Sequence, residues 1–149
     1  LQNLIVRGLS ETKISAIRCV EEIDAGPIFL KRLFNLNGSA EGIFLRASKV
    51  IEEMIEEILQ KLPAPIPQEG LPVIFKRRTP KDGNIATAQS LDKMYDLIRM
   101  LDAEDYPNAF LNIGPFKLEF TRASRKTNEL AADVRITLID NTNEREKND

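Results

Sequence analysis

The stretch Pro63-Ala64-Pro65-Ile66-Pro67-Gln68-Glu69-Gly70 divides the sequence into two parts and decides how the fold is organised. It places three prolines and one glycine within eight residues. Proline lacks the backbone N–H and the φ freedom that a helix needs, and it pushes the preceding residue towards extended geometry. We therefore predict that residues 1–62 are the C-terminal part of one domain, that residues 63–70 are a linker, and that residues 71–149 form a second, small domain.

Residues 39–62, immediately before this linker, carry the clearest helical pattern of the chain. Ser39 can accept a hydrogen bond from the free amides of a first helical turn, and Glu41 suits the positive end of a helix. Apolar residues then recur at steps of three and four, as a buried helix face requires: Ile43, Phe44, Ala47, Val50, Ile51, Met54, Ile55, Ile58 and Leu62. The pattern predicts an amphipathic helix of about six turns.

Two strands are predicted ahead of this helix, at Thr12–Val20 and Ile28–Phe34, joined around the turn Asp24-Ala25-Gly26-Pro27. Leu1 to Gly8 resembles the middle of a helix that runs into a glycine stop. This beginning has neither a charged n-region nor a small-residue cleavage site, so it is not typical of a signal peptide. We expect the chain to be part of a longer protein.

The second part predicts one short helix and a small sheet. A strand at Leu71–Lys76 leads into a basic turn at residues 77–83, and Ser90 can cap a helix that Asp105-Tyr106-Pro107 ends. Further strands are predicted at Ala109–Ile113, Phe116–Ala123 and Ala131–Ile139, and the polar tail Asn141–Asp149 is expected to fray. The fold class is α/β, with an α+β appearance in this stretch.

Composition excludes several kinds of site. The chain has 149 residues, 42% hydrophobic and 30% charged, with net charge −2, so a strong sequence-independent grip on nucleic acid is not expected. It contains no histidine, which excludes a Ser-His-Asp or Cys-His centre and a His-ligated metal within it. The single Cys19 excludes an internal disulfide and fits a reducing cytoplasm. We expect no metal and no membrane span.

Asp24 is the best single candidate for chemistry. Asp and Gly favour tight turns, so a structural turn is the simpler interpretation of Asp24-Ala25-Gly26-Pro27, and a carboxylate held rigidly at a strand end is the alternative. Arg77 and Arg78 could likewise clamp a phosphate or carboxylate, or could form a solvated turn beside Asp82. Cys19 is expected to be a buried, inert thiol.

Several motifs of the first part resemble the folate-dependent formyltransferase family. Gly8 is followed by Glu11-Thr12-x-Ile14-Ser15 and then by Ile23-Asp24-Ala25-Gly26-Pro27-Ile28. The family's pattern places a Thr twelve residues before an Asp that is followed by a small residue and Gly, which is the interval from Thr12 to Asp24. The family includes methionyl-tRNA formyltransferases, which the pattern resembles most, and N-formyltransferases of nucleotide-linked amino sugars.

The second part adds to this resemblance. Residues 75–85, Phe-Lys-Arg-Arg-Thr-Pro-Lys-Asp-Gly-Asn-Ile, are similar to the entry of the family's C-terminal domain. Leu97-Ile98-Arg99 and Tyr106-Pro107-x-Ala109-Phe110 resemble the helix and strand that follow. The resemblance implies the C-terminal part of a Rossmann-like formyltransferase domain, followed by a small sheet-rich C-terminal domain.

The resemblance implies transfer of a formyl group from 10-formyltetrahydrofolate to a primary amine, with an Asn, a His and an Asp in the active site. Asp24 matches the Asp, and the loop of Val20, Glu21, Glu22 and Ile23 would contact the folate, largely through its backbone. The Asn and His would lie in a missing N-terminal part of the same domain, so this chain alone is expected to be inactive. Arg77 and Arg78 would dock the C-terminal domain or, secondarily, contact the acceptor.

The amine acceptor implied by the resemblance is methionyl-tRNA, which would make initiator tRNA a partner. The short, weakly basic second part also suits a nucleotide-linked amino sugar. A different class of function is a non-catalytic module that keeps the formyltransferase fold, or that binds a partner through Lys76-Arg77-Arg78 and exposed strands.

Overall fold

The computed structural model describes residues 1–139 of the chain. Its contacts group into two units, the first Leu1–Arg77 and the second beginning at Arg78. The predicted domain boundaries stay a prediction, and the predicted tail Asn141–Asp149 lies outside the described residues. Mixed helices and small antiparallel sheets confirm the predicted fold class.

The first unit is an antiparallel hairpin packed on a long helix. Helix α1 is Gln2–Val6, strands β1 and β2 are Glu11–Ile17 and Ile28–Asn35, and helix α2 is Ala40–Lys61. The hairpin register places Thr12 opposite Phe34 and shifts between Ala16 and Ile17. Its buried core is Ile5, Phe34, Leu36, Ala40, Ile43 and Met54.

Helix α2 begins and ends as its sequence predicts. The Ser39 hydroxyl accepts a hydrogen bond from the Gly42 amide at 3.2 Å, which satisfies one of the free donors of the first turn. At the other end Leu62 adopts a left-handed conformation, with φ 43°, immediately before Pro63. The position and length of this helix are therefore confirmed.

The second unit is a three-stranded antiparallel sheet with one helix packed on it. After two short 3-10 turns, helix α3 is Leu91–Arg99, and strands β3, β4 and β5 are Ala109–Ile113, Phe116–Arg125 and Leu130–Leu138, in the order β3-β4-β5. Ser90 caps α3 by accepting a bond from the Lys93 amide at 3.1 Å. The buried core is Ile85, Leu97, Ile98, Met100, Leu101 and Ala109.

Three local predictions are wrong. Leu71–Lys76 forms no strand, since Leu71 and Ile74 are 95% and 89% exposed and no described strand pairs with them. Strand β1 ends at Ile17 rather than Val20, where the backbone turns into the loop before β2. Helix α3 ends at Arg99, well before Pro107.

Glu57 of α2 ties the helix to the hairpin. Its carboxylate is ion-paired with Arg32 of β2 and accepts a hydrogen bond from Lys61 Nζ at 3.1 Å. The hydrogen bond from Lys61, together with the positive charge of Arg32, lowers the pKa of Glu57 below its ordinary value. A carboxyl whose pKa falls on folding stabilises the folded state above its unfolded pKa, and this contribution is lost as the pH falls through the folded pKa.

We expect Glu57→Gln to lower the melting temperature at pH 7, because the variant keeps the shape of the side chain and loses its charge. The difference from the unchanged protein should shrink as the pH is lowered below the ordinary range of glutamate. Thermal unfolding at stepwise lower pH measures this. Glu52→Gln, an exposed position on the same helix, is the control, and an E57Q effect that does not vary with pH would contradict the assignment.

Candidate functional site

The candidate site is built on residues 18–27, the connection between β1 and β2, which we call the Asp24 loop. The Arg18 amide donates a hydrogen bond to the Pro27 carbonyl at 2.8 Å, which closes the base of the loop. Gly26 is buried at this base, and a Cβ there would lie 1.8 Å from the Arg18 carbonyl oxygen. Only glycine fits this approach, so the glycine after Asp24 is required by the closure of the loop.

Asp24 sits at the turn of this loop with its carboxylate exposed. Its φ of 60° lies in the left-handed region, which Asp and Asn tolerate better than most residues. The Ala25 amide bonds the Glu22 carbonyl at 3.4 Å, which completes the turn around it. Within residues 1–139 the Asp24 carboxylate makes no hydrogen bond or ion pair, so both oxygens can accept from a group that approaches the loop.

Gln68 holds the Asp24 loop from outside. Its side-chain Nε2 donates to the Asp24 carbonyl at 2.6 Å and to the Gly26 carbonyl at 2.8 Å. These two carbonyls flank Ala25, so a single amide group satisfies two acceptors of the loop and fixes their separation. The side chain of Gln68 therefore restrains the backbone on which the Asp24 carboxylate is mounted.

A backbone bridge places Gln68 beside the loop. The Ile28 amide donates to the Ile66 carbonyl at 2.7 Å, and the Ile66 amide donates back at 2.9 Å. Residues 66–68 thus lie along the start of β2, next to the point where the Asp24 loop ends. Between β2 and this segment runs a groove of about 440 Å³ lined by Ile28, Phe29, Leu30, Lys31, Ile66, Pro67 and Glu69.

The four residues before Asp24 present two exposed apolar side chains, two acidic side chains and their backbone. Val20 is 47% and Ile23 88% exposed, an arrangement that is costly in water and suits a ligand with an apolar ring. In the described part of the chain, the Glu22 carbonyl is the one backbone group of residues 20–23 that makes a backbone hydrogen bond. Glu21, Glu22 and Asp24 together make the loop acidic, which favours a cation beside it.

The two arginines are placed differently. The Arg78 guanidinium donates to the Asp82 carbonyl at 2.6 Å, and the Asp82 carboxylate accepts from the Thr79 amide at 2.6 Å. Arg78 thus helps to close the turn that begins the second unit, in agreement with the structural alternative for this stretch. Arg77 is exposed at the end of the first unit. A substrate contact for Arg77 and Arg78 stays a prediction.

Sequence reasoning missed Gln68 and misplaced Cys19. Gln68 lies in a proline-rich stretch whose pattern predicts a linker. Nothing in the sequence around it indicates that the Gln68 side chain donates hydrogen bonds to a loop more than forty residues earlier. Cys19 is exposed rather than buried, because it follows the end of β1 and lies in the Asp24 loop.

Within residues 1–139, no cluster of three or more His, Cys, Asp or Glu side chains has a geometry that could bind a metal ion. None of the helices described in this range combines the length and the apolar character that a membrane crossing needs.

Comparison with known proteins finds similarity to methionyl-tRNA formyltransferases. The family described as the C-terminal domain of methionyl-tRNA formyltransferase matches residues 80–137. The structure of a methionyl-tRNA formyltransferase from Clostridium thermocellum is 51% identical, with a TM-score of 0.88 over 92% of this chain. This chain spans 61% of the length of that protein.

More distant structures share the fold alone. A variant of HypX from Aquifex aeolicus is 15% identical, with a TM-score of 0.61 over 82% of this chain and 22% of its own. HypX in complex with tetrahydrofolic acid is 14% identical, with a TM-score of 0.58 over 82% of this chain and 22% of its own. At these identities the match describes the path of the backbone and not the chemistry.

Replacing Gln68 by Glu should loosen the Asp24 loop, because a carboxylate oxygen would then face the two carbonyl oxygens that the amide now bridges. We expect faster hydrogen exchange at the amides of residues 19–25 than in the unchanged protein, with little change at α2. Exchange followed by mass spectrometry measures this. Glu69→Gln, the matched change at the exposed neighbouring residue, should leave the loop unaffected, and equal exchange in Q68E and E69Q would contradict the role of Gln68.

Proposed function

Since this chain belongs to the formyltransferase family that includes methionyl-tRNA formyltransferase, we propose that the protein containing it transfers a formyl group from 10-formyltetrahydrofolate to a primary amine. The proposed reaction is inferred from membership of this family. The single structural observation that supports it is the Asp24 loop, in which an unpaired carboxylate is held on a restrained backbone.

Asp24 is proposed as the carboxylate of the active site. A primary amine that attacks a formyl carbon must lose a proton, and an ionised carboxylate can accept that proton or stabilise the cation that a neighbouring neutral base becomes when it accepts the proton. The loop adds the negative charges of Glu21 and Glu22, which strengthens the preference for a cation beside Asp24. The Arg18–Pro27 closure and the two Gln68 bonds fix its position, and a fixed catalytic group reacts faster than a mobile one.

The loop before Asp24 fits the folate donor. When bound, 10-formyltetrahydrofolate supplies the formyl group, and its pterin ring offers both an apolar face and an edge of donors and acceptors. Val20 and Ile23 expose apolar side chains that can cover such a face. Apart from the Glu22 carbonyl, the backbone N–H and C=O groups of residues 20–23 make no backbone hydrogen bond within residues 1–139 and are available for the edge, which supports their assignment as the binding segment together with Asp24.

The remaining catalytic groups are proposed to come from outside these 149 residues. The family resemblance implies an Asn and a His beside the Asp, and this sequence contains no histidine. Asp24 would then orient the imidazole of that His and stabilise its charged form. On this proposal the 149-residue chain by itself does not catalyse formyl transfer.

Methionyl-tRNA is proposed as the amine acceptor. The support is the match of residues 80–137 to the C-terminal domain of methionyl-tRNA formyltransferase and the 51% identity to the Clostridium thermocellum protein of that name. The moderate charge of the chain, −2 overall, keeps a nucleotide-linked amino sugar as the second candidate.

Asp24→Asn in the full-length protein should lower kcat by about 10²–10⁴-fold, the usual contribution of a positioned proton-transfer group. Asn also tolerates the left-handed backbone, so Tm should be nearly unchanged. Asp105→Asn is a matched control, since Asp105 is an exposed aspartate with a similar φ of 64°. Formyl transfer by D24N within a few-fold of the unchanged protein would remove Asp24 from the active site.

The acceptor is tested by offering methionyl-tRNA and nucleotide-linked amino sugars to the full-length protein with 10-formyltetrahydrofolate. We expect kcat/KM to be far higher for methionyl-tRNA and to fall as salt is raised, because tRNA binding releases counterions. A higher kcat/KM for an amino sugar would show that the acceptor is a nucleotide-linked amino sugar. Turnover of neither acceptor would favour a non-catalytic module with this fold.

A further inference from the structure

The proline-rich stretch predicted as a linker is also attached to the candidate active site. It forms a backbone bridge with the start of β2, in which the Ile28 amide donates to the Ile66 carbonyl at 2.7 Å and the Ile66 amide donates back at 2.9 Å. Two residues further on, the Gln68 side chain donates to the Asp24 and Gly26 carbonyls at 2.6 and 2.8 Å. The stretch therefore contacts the Asp24 loop as well as joining the two parts of the sequence.

The reach of the Gln68 side chain depends on this bridge. The bridge fixes the backbone of Ile66, and a single residue, Pro67, separates it from Gln68. The proline ring fixes φ, so the connection is short and stiff and the Gln68 amide is held close to the loop at little entropic cost. A shift of Gln68 by one residue along an extended chain is about 3.3 Å, which is longer than either of its hydrogen bonds.

The hydrogen bond to the Asp24 carbonyl acts on the conformation of Asp24 itself. The φ of Asp24 is 60°, a left-handed conformation that costs free energy in a residue with a Cβ and persists only where the surroundings hold it. The direction of a carbonyl depends on the ψ of its own residue, so a bond to the Asp24 carbonyl restrains that angle. With the backbone restrained, the Cα–Cβ bond that carries the carboxylate keeps one direction. Both acceptors of Gln68 lie at or after Asp24, beyond the four residues proposed to contact the folate.

We propose that Gln68 is a positioning residue for formyl transfer, which acts through the Asp24 backbone and sets the direction of the Asp24 carboxylate. The inference rests on the proposed function, in which Asp24 belongs to the active site. Loss of the two hydrogen bonds should slow the catalytic step more than it weakens binding of the donor, because the donor is assigned to residues 20–23 and Gln68 restrains residues 24 and 26. A misplacement of a catalytic group by about 1 Å can cost about 100-fold in rate.

Gln68→Met in the full-length protein keeps the length of the side chain and removes both donors. With saturating acceptor, we expect kcat to fall by about 10–100-fold. The KM for 10-formyltetrahydrofolate should change by less than about threefold, as expected when an interaction serves the transition state and not donor binding. Tm should stay close to that of the unchanged protein, since Gln68 is exposed. Gln60→Met, the same substitution at an exposed glutamine of α2, is the matched control and should leave kcat unchanged.

A double-mutant cycle separates positioning of Asp24 from a general effect on the fold. If Gln68 acts through Asp24, adding Q68M to the D24N variant should lower kcat by less than about threefold further, because the carboxylate that Gln68 positions is already absent. A loss in the double variant equal to the product of the two single losses would overturn the proposal, as would a Q68M variant with unchanged kcat beside an impaired D24N variant. A D24N variant with full activity would instead overturn the proposed function, and this inference with it.

Two insertions in the full-length protein test the dependence on the bridge. One glycine inserted between Pro67 and Gln68 displaces the amide from the loop, and it should lower kcat as Q68M does and speed hydrogen exchange at residues 19–25. One glycine inserted after Gly70 lengthens the same stretch beyond Gln68, and it should leave exchange in the loop unchanged. Equal exchange in the two insertion variants would show that the stretch acts only as a spacer, and would overturn the role of the bridge.

Discussion

The hydrogen bonds from Gln68 to the Asp24 and Gly26 carbonyls are the constraint on which the candidate site depends. A loop of ten residues between two strands has many accessible conformations, and fixing it requires contacts that offset the lost backbone entropy. Here one side-chain amide satisfies two carbonyls, while the glycine between Ala25 and Pro27 allows the chain to return within bonding distance of Arg18. Asp24 is therefore held by its backbone, and its carboxylate has no hydrogen-bond or ion-pair partner among residues 1–139.

Other contacts of the first unit hold Gln68 beside the Asp24 loop. The Ile28–Ile66 bridge brings the segment after α2 back to the start of β2, and α2 spans the distance that makes this return possible. The ion pair of Glu57 with Arg32 fixes the C-terminal part of α2 on the hairpin. The returning segment thus lies beside the start of β2, where Gln68 reaches the Asp24 loop.

Local patterns predicted the elements well where a single physical preference dominated. The apolar spacing and the Ser39 cap located α2 almost to the residue, and the alternation of Phe116, Leu118 and Phe120 located β4. The prediction of a strand at residues 71–76 was wrong because an apolar, β-branched segment forms a strand only when another strand pairs with it. The role of Gln68 could not be predicted, since it depends on a bridge between residues distant in sequence and on nothing in its own neighbourhood.

In the proposed function, the Asp24 loop presents its carboxylate to catalytic groups supplied by the rest of the domain. The most direct measurement is a crystal structure of the full-length protein with tetrahydrofolate bound. If Asp24 belongs to the active site, one of its carboxylate oxygens should lie within hydrogen-bond distance, about 2.6–3.2 Å, of a histidine ring nitrogen, with the backbone of residues 20–23 against the pterin. An Asp24 side chain surrounded by bulk water, with neither histidine nor folate beside it, would rule out this role.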